Sequence, residues 1–293
     1  MVPNVRIGSI GGSGTWGARF PEDLQCTDVR VLEYLEPVET PYGQSASFKL
    51  LEVGGERVLR TAMHGWHRDE AGSWIPTWTC ALQVAWVFQE AGVEWALVDG
   101  SVGGIQSPDV PGAPLPPWSV VITDDFIQHW VPPTLGRIAV KGSGGLRMRE
   151  PFCAGLRKRL VDAARRQAQF AVFDHGIYVC TPTGRFETTA EIRMMAGWGA
   201  HIVGQTLGHE APLMRHLGIH FGSLNIVSNY AEGNDTWIGT DAGAMEQFYR
   251  VCPRHVGNAL VDAMLSTIST GIGECHCAEF RLSGLGMFPV DGA

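Results

Sequence analysis

Short apolar runs alternate along this chain with stretches of helical spacing. Val5 to Ile10 reads as a buried strand that runs into Gly11-Gly12-Ser13-Gly14. Val29 to Leu35 and Ser47 to Val53 alternate with period two, and Thr40-Pro41-Tyr42-Gly43 makes a turn between them. Arg57 to Ala62 is a further strand that delivers His64-Gly65-Trp66-His67 to a loop. Trp78 to Ala91 places Leu82, Ala85, Trp86 and Phe88 at helical spacing, closed by Gly92. Trp95 to Val98 predicts a strand that ends in a second glycine loop, Gly100-Ser101-Val102-Gly103-Gly104. Pro108 to Pro117 is a proline-rich loop, Ser119 to Ile122 a strand, and Val131 to Glu150 a long Pro/Gly-rich excursion.

The second half repeats the alternation. Ala154 to Gln169 is an amphipathic basic helix, Phe170 to Cys180 a strand pair, and Thr188 to Gly197 a helix. His201 to Thr206 is a strand, Glu210 to Leu217 a short helix, and His220 to Val227 a strand. Met245 to Ile268 supplies one or two closing helices. Strands alternating with helices predict an α/β fold: a single domain over residues 1–293, with a central mixed β-sheet flanked by helices. Ligands of such sheets gather beyond the carboxyl ends of strands, where most of the loops named here lie.

Composition narrows the function. With 45% apolar residues the chain can bury a sizeable core, and a net charge of −8 argues against wrapping nucleic acid or lying on a membrane. No 18-residue apolar run predicts a membrane span, and the start at Met1 does not read as a secretory leader. Seven scattered cysteines suit reduced thiols in a cytoplasmic protein. Cys275-His276-Cys277 stands apart: a small redox pair, half of a metal site, or two thiols in a C-terminal loop.

Two runs carry the most chemistry. Gly184-Arg185-Phe186-Glu187 and Val227-Ser228-Asn229-Tyr230 each follow an apolar, strand-like stretch. Together they offer an aromatic face, a carboxylate and a carboxamide, the groups that a heterocycle with a lactam edge needs. The glycine run at 11–14 suits an anion, because glycines let successive N–H groups converge and Ser13 adds a hydroxyl. Gly12 to Gly17 also matches the dinucleotide pattern G-x-G-x-x-G, but Pro21 interrupts the helix such a fold requires. His64, His67, Asp69 and Glu70 cluster without the spacing of a metallohydrolase. A base site beside an anion site points to a nucleoside-cleaving enzyme.

Taken in order, these segments resemble the purine nucleoside phosphorylase and 5′-methylthioadenosine phosphorylase family. The resemblance runs from Ile7–Gly14 through Glu39–Gly43, Ala62–Gly65, Ser101–Gly104, Glu150–Cys153, Gly176–Thr181, Gly184–Glu191 and Gly199–Thr206 to Ser228-Asn229. It implies phosphorolysis of a purine nucleoside by a homo-oligomer, a trimer or hexamer. Inorganic phosphate would be co-substrate, with no metal and no organic cofactor. By resemblance Ser13, His64, Ser101 and Thr206 bind phosphate. Phe186 walls the base, Gln205 and Gly103 lie at the ribose and base, and Leu146 to Met148 is lent to a neighbouring subunit. Asn229 and Glu187 are the catalytic pair. Members acting on adenine nucleosides usually carry Asp at position 229 and again two residues on, where this chain has Asn229 and Ala231. Asn229 can donate to O6 and accept from a protonated N7 while Glu187 accepts from N1–H, so a 6-oxopurine is expected.

The pattern departs from the family at four places. The arginine before His64 is Met63, the proline before Arg185 is Gly184, the methionine before Thr206 is Gln205, and the proline before Glu210 is His209. A missing charge-assisted contact weakens phosphate binding about ten- to hundredfold, unless Arg60, His67 or Arg68 compensates. That keeps two alternatives open, a phosphate-independent nucleosidase and a non-catalytic nucleoside-binding homologue.

Overall fold

Strands that are apolar on both faces need cover on both faces, and this requirement organises the molecule. The computed structural model describes residues 2–62, 68–69, 71–128, 143–233 and 242–283. Its strands are β1 (Ile7–Gly11), β2 (Val29–Leu35), β3 (Glu39–Thr40), β4 (Gly43–Gln44), β5 (Phe48–Val53) and β6 (Glu56–Ala62). Helix α1 (Thr77–Ala91) precedes β7 (Trp95–Gly104), β8 (Ser119–Ile122), β9 (Asp125–Gln128) and β10 (Ser143–Leu146). Then follow α2 (Ala154–Arg165), β11 (Ala171–Phe173), β12 (Ile177–Cys180), α3 (Thr189–Gly197), β13 (Ile202–Gly204) and α4 (Leu207–Leu217). β14 (His220–Tyr230), α5 (Ala242–Thr270) and β15 (Arg281–Ser283) complete the order.

Among the described residues, eleven strands form one mixed sheet, ordered β11-β8-β14-β7-β1-β6-β5-β2. β9 and β13 flank β12, and β13 attaches this extension antiparallel to the far end of β7. Every residue of β1 is buried. One core, with Val84 and Phe88 of α1 and Leu213 and Met214 of α4, covers one face. A second, with Leu156 and Leu160 of α2 and Val256 and Leu260 of α5, covers the other. The expected α/β architecture, a mixed sheet flanked by helices, is what forms. No helix among the described residues is long and apolar enough to cross a membrane.

Two local expectations are corrected. Gly100–Gly104 is no loop: it continues β7, held by the parallel partner β14, with Ser101 opposite Ile226 and Gly104 opposite Tyr230. Glycine is needed there because a Cβ on Gly104 would lie 2.3 Å from the Leu115 carbonyl oxygen. The strands at 171–173 and 177–180 do not pair with each other; β11 adds to β8, and β12 to β9 and β13. The closing segment is one helix that passes through Pro253. Most of the 131–150 excursion lies outside the described residues, but its last part forms β10, which pairs with β15.

Candidate active site

The glycine turn after β1 is fastened from beneath. Asp99, fully buried on β7, accepts from the Gly12 N–H at 3.2 Å and from the Thr15 hydroxyl at 3.1 Å. Arg60 of β6, only 3% exposed, donates to Ser9 Oγ at 2.6 Å, Thr15 Oγ1 at 2.8 Å and Asp99 Oδ2 at 3.3 Å. Its guanidinium stacks 3.8 Å above the Phe20 ring. Burial pulls the Arg60 pKa down, and the Asp99 charge opposes that pull. Arg60 is therefore a fastener under the loop and does not line the cleft. Above this anchor Ser13 Oγ lies 2.5 Å from Ser101 Oγ and accepts from the Ser101 N–H at 3.1 Å, while Tyr249 OH of α5 sits 3.0 Å from Ser101 Oγ.

The opposite wall is built on the ends of β12, β13 and β14. Thr181, just past β12, donates to Glu187 Oε1 at 2.5 Å, which fixes one carboxylate oxygen and leaves the other available. Glu187 precedes a capping box at the start of α3, where Thr188 accepts from the Glu191 N–H and Glu191 accepts from the Thr188 N–H. Arg185 grips the same Glu191 through both guanidinium nitrogens at 2.7 and 2.8 Å, and this grip, with the Thr188 amide, holds the Glu191 carboxyl at about 2. Gln205 donates to the Arg185 carbonyl at 3.1 Å and ties β13 to this loop.

Asn229 owes its orientation to a bulge. The register of β14 against β7 slips between Val227 and Asn229, so Ser228 is an extra residue. In a regular strand Ser228 and Asn229 would point to opposite faces; here both reach one cleft. Ser228 donates to Asn229 Oδ1 at 2.8 Å, and Asn229 Nδ2 donates to the Tyr230 carbonyl at 2.8 Å. The amide orientation is thereby set, and it keeps one lone pair and one N–H unspent. Asn229 is 7% exposed.

These walls enclose a cleft of about 960 Å³. Ser13, Ser101, Gly103 and Thr206 line it together with Phe186, Glu187, Gln205 and Asn229. Phe186 is 63% exposed at the cleft wall. Trp74 and Trp78 border the cleft, and Arg68 stacks on Trp74 at 3.6 Å. His64 and His67, with Met63, lie outside the described residues. Among the described lining residues Arg185 is the one cation, and it is already paired with Glu191. An anion here would be met by hydroxyls, backbone N–H groups and the start of α4 next to Thr206. Sequence reasoning missed Tyr249, Asn225, Trp16 and Tyr178 in the lining; none carries a local signal, since each sits in an ordinary strand, helix or turn pattern.

One close approach sets the position of Thr206. Tyr178 OH, fully buried, accepts from the Thr206 N–H at 3.1 Å, and a Cβ on Gly204 would lie 2.2 Å from that same oxygen. Gly204→Ala must displace the Tyr178 ring and break this bond, so we expect a loss of about 1–3 kcal/mol in urea-unfolding stability. An unchanged midpoint would mean that the ring has room to move.

Comparison with known proteins agrees with the geometry. The sequence matches the phosphorylase superfamily over residues 6–261. It is 31% identical over 242 residues to an S-methyl-5′-thioadenosine phosphorylase of Thermococcus kodakarensis, spanning 82% of this chain and 84% of that one. It is 34% identical over 238 residues to a probable 6-oxopurine nucleoside phosphorylase of the same organism, spanning 78% and 80%. The fold is shared with a methylthioadenosine phosphorylase from an antarctic soil metagenomic library, at a TM-score of 0.74 and 21% identity over 95% of this chain and 91% of that one. Because the matched residues include every position named here in the cleft wall, from Ser13 to Tyr249, the chain belongs to the phosphorylase superfamily, among the purine nucleoside and methylthioadenosine phosphorylases.

Proposed function

We propose that the protein cleaves the N-glycosidic bond of 6-oxopurine nucleosides by phosphorolysis, releasing the free base and a sugar 1-phosphate. The observation that carries this reading is the meeting of Glu187 and Asn229, from separate parts of the chain, in one cleft with Ser13, Ser101 and Thr206. Glu187 has one oxygen free of Thr181 to accept from N1–H. Asn229 has an N–H to offer O6 and a lone pair for a protonated N7. A 6-aminopurine presents the opposite polarity at this edge, at a cost of about 1–3 kcal/mol. Of the two Thermococcus relatives, the one named a probable 6-oxopurine nucleoside phosphorylase shares this base class, and the other is named for an adenine nucleoside.

In the reaction the glycosidic bond stretches first and the sugar gains oxocarbenium character. Negative charge gathers on the departing purine, where the remaining Asn229 N–H meets it at O6; N7 takes a proton from solvent and donates it to the Asn229 oxygen. Phosphate, held by Ser13, Ser101, Thr206 and His64, then captures C1′ from the opposite face. Phe186 stacks on the base, and Gln205 with Gly103 supports the ribose side. Trp74, Trp78 and Ile75 give the cleft an apolar end suited to a 5′-methylthio group, so 5′-methylthioinosine belongs in the substrate range. No metal or organic cofactor takes part. The active form is a homo-oligomer, trimer or hexamer.

One observation favours a rival, a nucleosidase that uses water: Arg185 is committed to Glu191, and Met63 stands where the family carries an arginine. Inosine, guanosine, adenosine and their 5′-methylthio forms, assayed for free base with and without phosphate, separate the two. We expect release from the 6-oxopurine nucleosides only when phosphate is present. Equal turnover without phosphate selects the nucleosidase, and preference for adenosine overturns the assignment of Asn229.

A further inference from the structure

Cys275-His276-Cys277 finds partners that its sequence position hides. The C-terminal segment after α5 returns to the start of α2, where a Cβ on Gly155 would meet the Ile272 carbonyl oxygen at 2.2 Å. Arg159 Nη2 donates to the Gly271 carbonyl, and the Arg147 N–H to the Phe280 carbonyl. This docking brings Cys275 and Cys277 beside Cys153, the residue capping α2, and His220, the first residue of β14. The three sulfurs and one imidazole nitrogen all lie within 4.8 Å of one another. His220 Nδ1 is 3.5 Å from Cys153 Sγ and 3.4 Å from Cys275 Sγ. The intervening His276 takes no part: its Nδ1 pairs with Glu279 at 2.9 Å on the surface.

We propose that Cys153, His220, Cys275 and Cys277 form a structural zinc site, a Cys₃His set that clamps the C-terminal segment to the sheet. Tetrahedral zinc with bonds of about 2.3 Å to sulfur and about 2.0–2.1 Å to nitrogen places neighbouring S and N ligands about 3.5 Å apart, and the two S–N separations given above agree with that. Three thiols and an imidazole form a soft, oxygen-free set that suits a d¹⁰ cation and leaves no open position for substrate. On binding, the three thiols release their protons, the imidazole enters neutral, and the centre carries one negative charge. A cavity of about 430 Å³, walled by His220, Glu94 and Arg6, borders the cluster on its His220 side.

The site is remote from the nucleoside cleft. His220 and Asn229 lie nine residues apart on β14, on the order of 30 Å at the rise of an extended strand. The metal is therefore a staple of the fold and takes no part in glycosidic cleavage. The sequence alone exposed half of the set, Cys275 and Cys277; the other two ligands come from 122 and 55 positions before Cys275.

The test begins with the full chain purified under reducing conditions and analysed for metal by mass spectrometry. We expect about one zinc per chain, reversible removal by a chelator, and restoration by zinc with a rise in melting temperature. Cobalt added to the reduced apoprotein should give the intense visible absorption of a tetrahedral thiolate centre. Cys275→Ser with Cys277→Ser should weaken cobalt binding by more than the about 10–100-fold that loss of an outer-shell partner causes. Cys26→Ser, outside the cluster, should leave it unchanged. Reduced apoprotein that keeps native circular dichroism but binds neither cobalt nor zinc overturns the proposal. So does a disulfide among Cys153, Cys275 and Cys277 in the protein isolated under reducing conditions, which would make the set a redox device.

Discussion

Asp99→Ala unfolds about 3–5 kcal/mol more easily than the parent, because removal of one partner leaves the Arg60 guanidinium as a buried charge with no counter-ion. The pair is inaccessible, with side chains 3% and 0% exposed, so solvent cannot take the place of the lost carboxylate. The same substitution removes the acceptor for the Gly12 N–H and the Thr15 hydroxyl, so the turn that carries Ser13 loosens as well. Urea unfolding should give the stability loss, and the phosphate KM should rise. Arg60→Met combined with Asp99→Leu should recover part of the stability, since an apolar pair of similar volume is often tolerated where a lone charge is not. The double variant should not recover phosphate binding, because the turn stays unfastened. If Asp99→Ala unfolds like the parent, water reaches Arg60 and the network is not the anchor described.

Asn229→Ala lowers kcat for inosine by about 100- to 1000-fold, the usual effect of losing one donor aimed at developing charge. Ser228→Ala is expected to do less, about tenfold, because it frees the amide to rotate without removing it. Asn229→Asp is the more informative exchange. Its second oxygen would face the Tyr230 carbonyl, which now accepts from Asn229 Nδ2 at 2.8 Å. That repulsion costs about 1–3 kcal/mol of stability whatever the substrate, so the quantity to read is the ratio of adenosine to inosine turnover. The ratio should rise. If both activities fall together, the polarity of residue 229 is not what selects the base.

Much of this molecule was legible because its signals are local. β2 spans Val29–Leu35 as the period-two alternation demands, and α1 ends at Gly92 with φ 77°, the left-handed cap that a glycine supplies. Thr188 caps α3 with Glu191 three residues on, another adjacent signal. What stayed hidden depends on neighbours distant in sequence. Gly100–Gly104 has turn composition and becomes strand only because β14 lies alongside it. The bulge at Ser228 is invisible until β14 is set against β7. Arg60 looked available for an anion, and only three dimensions show its donors committed to Ser9, Thr15 and Asp99. Cys153 and His220 read as unremarkable residues until the chain returns to them at 275.

The cleft draws its wall from residue 13 to residue 249, and each contributing segment hangs from a different strand or helix of one continuous sheet. No fragment of the chain can hold half of the wall in place, so partly melted molecules have no partial competence to retain. Turnover should thus vanish along the same temperature curve as the far-ultraviolet signal, which makes enzymatic rate a direct gauge of the cooperative transition. A population that had lost rate while keeping full ellipticity would point to damage confined to the pocket.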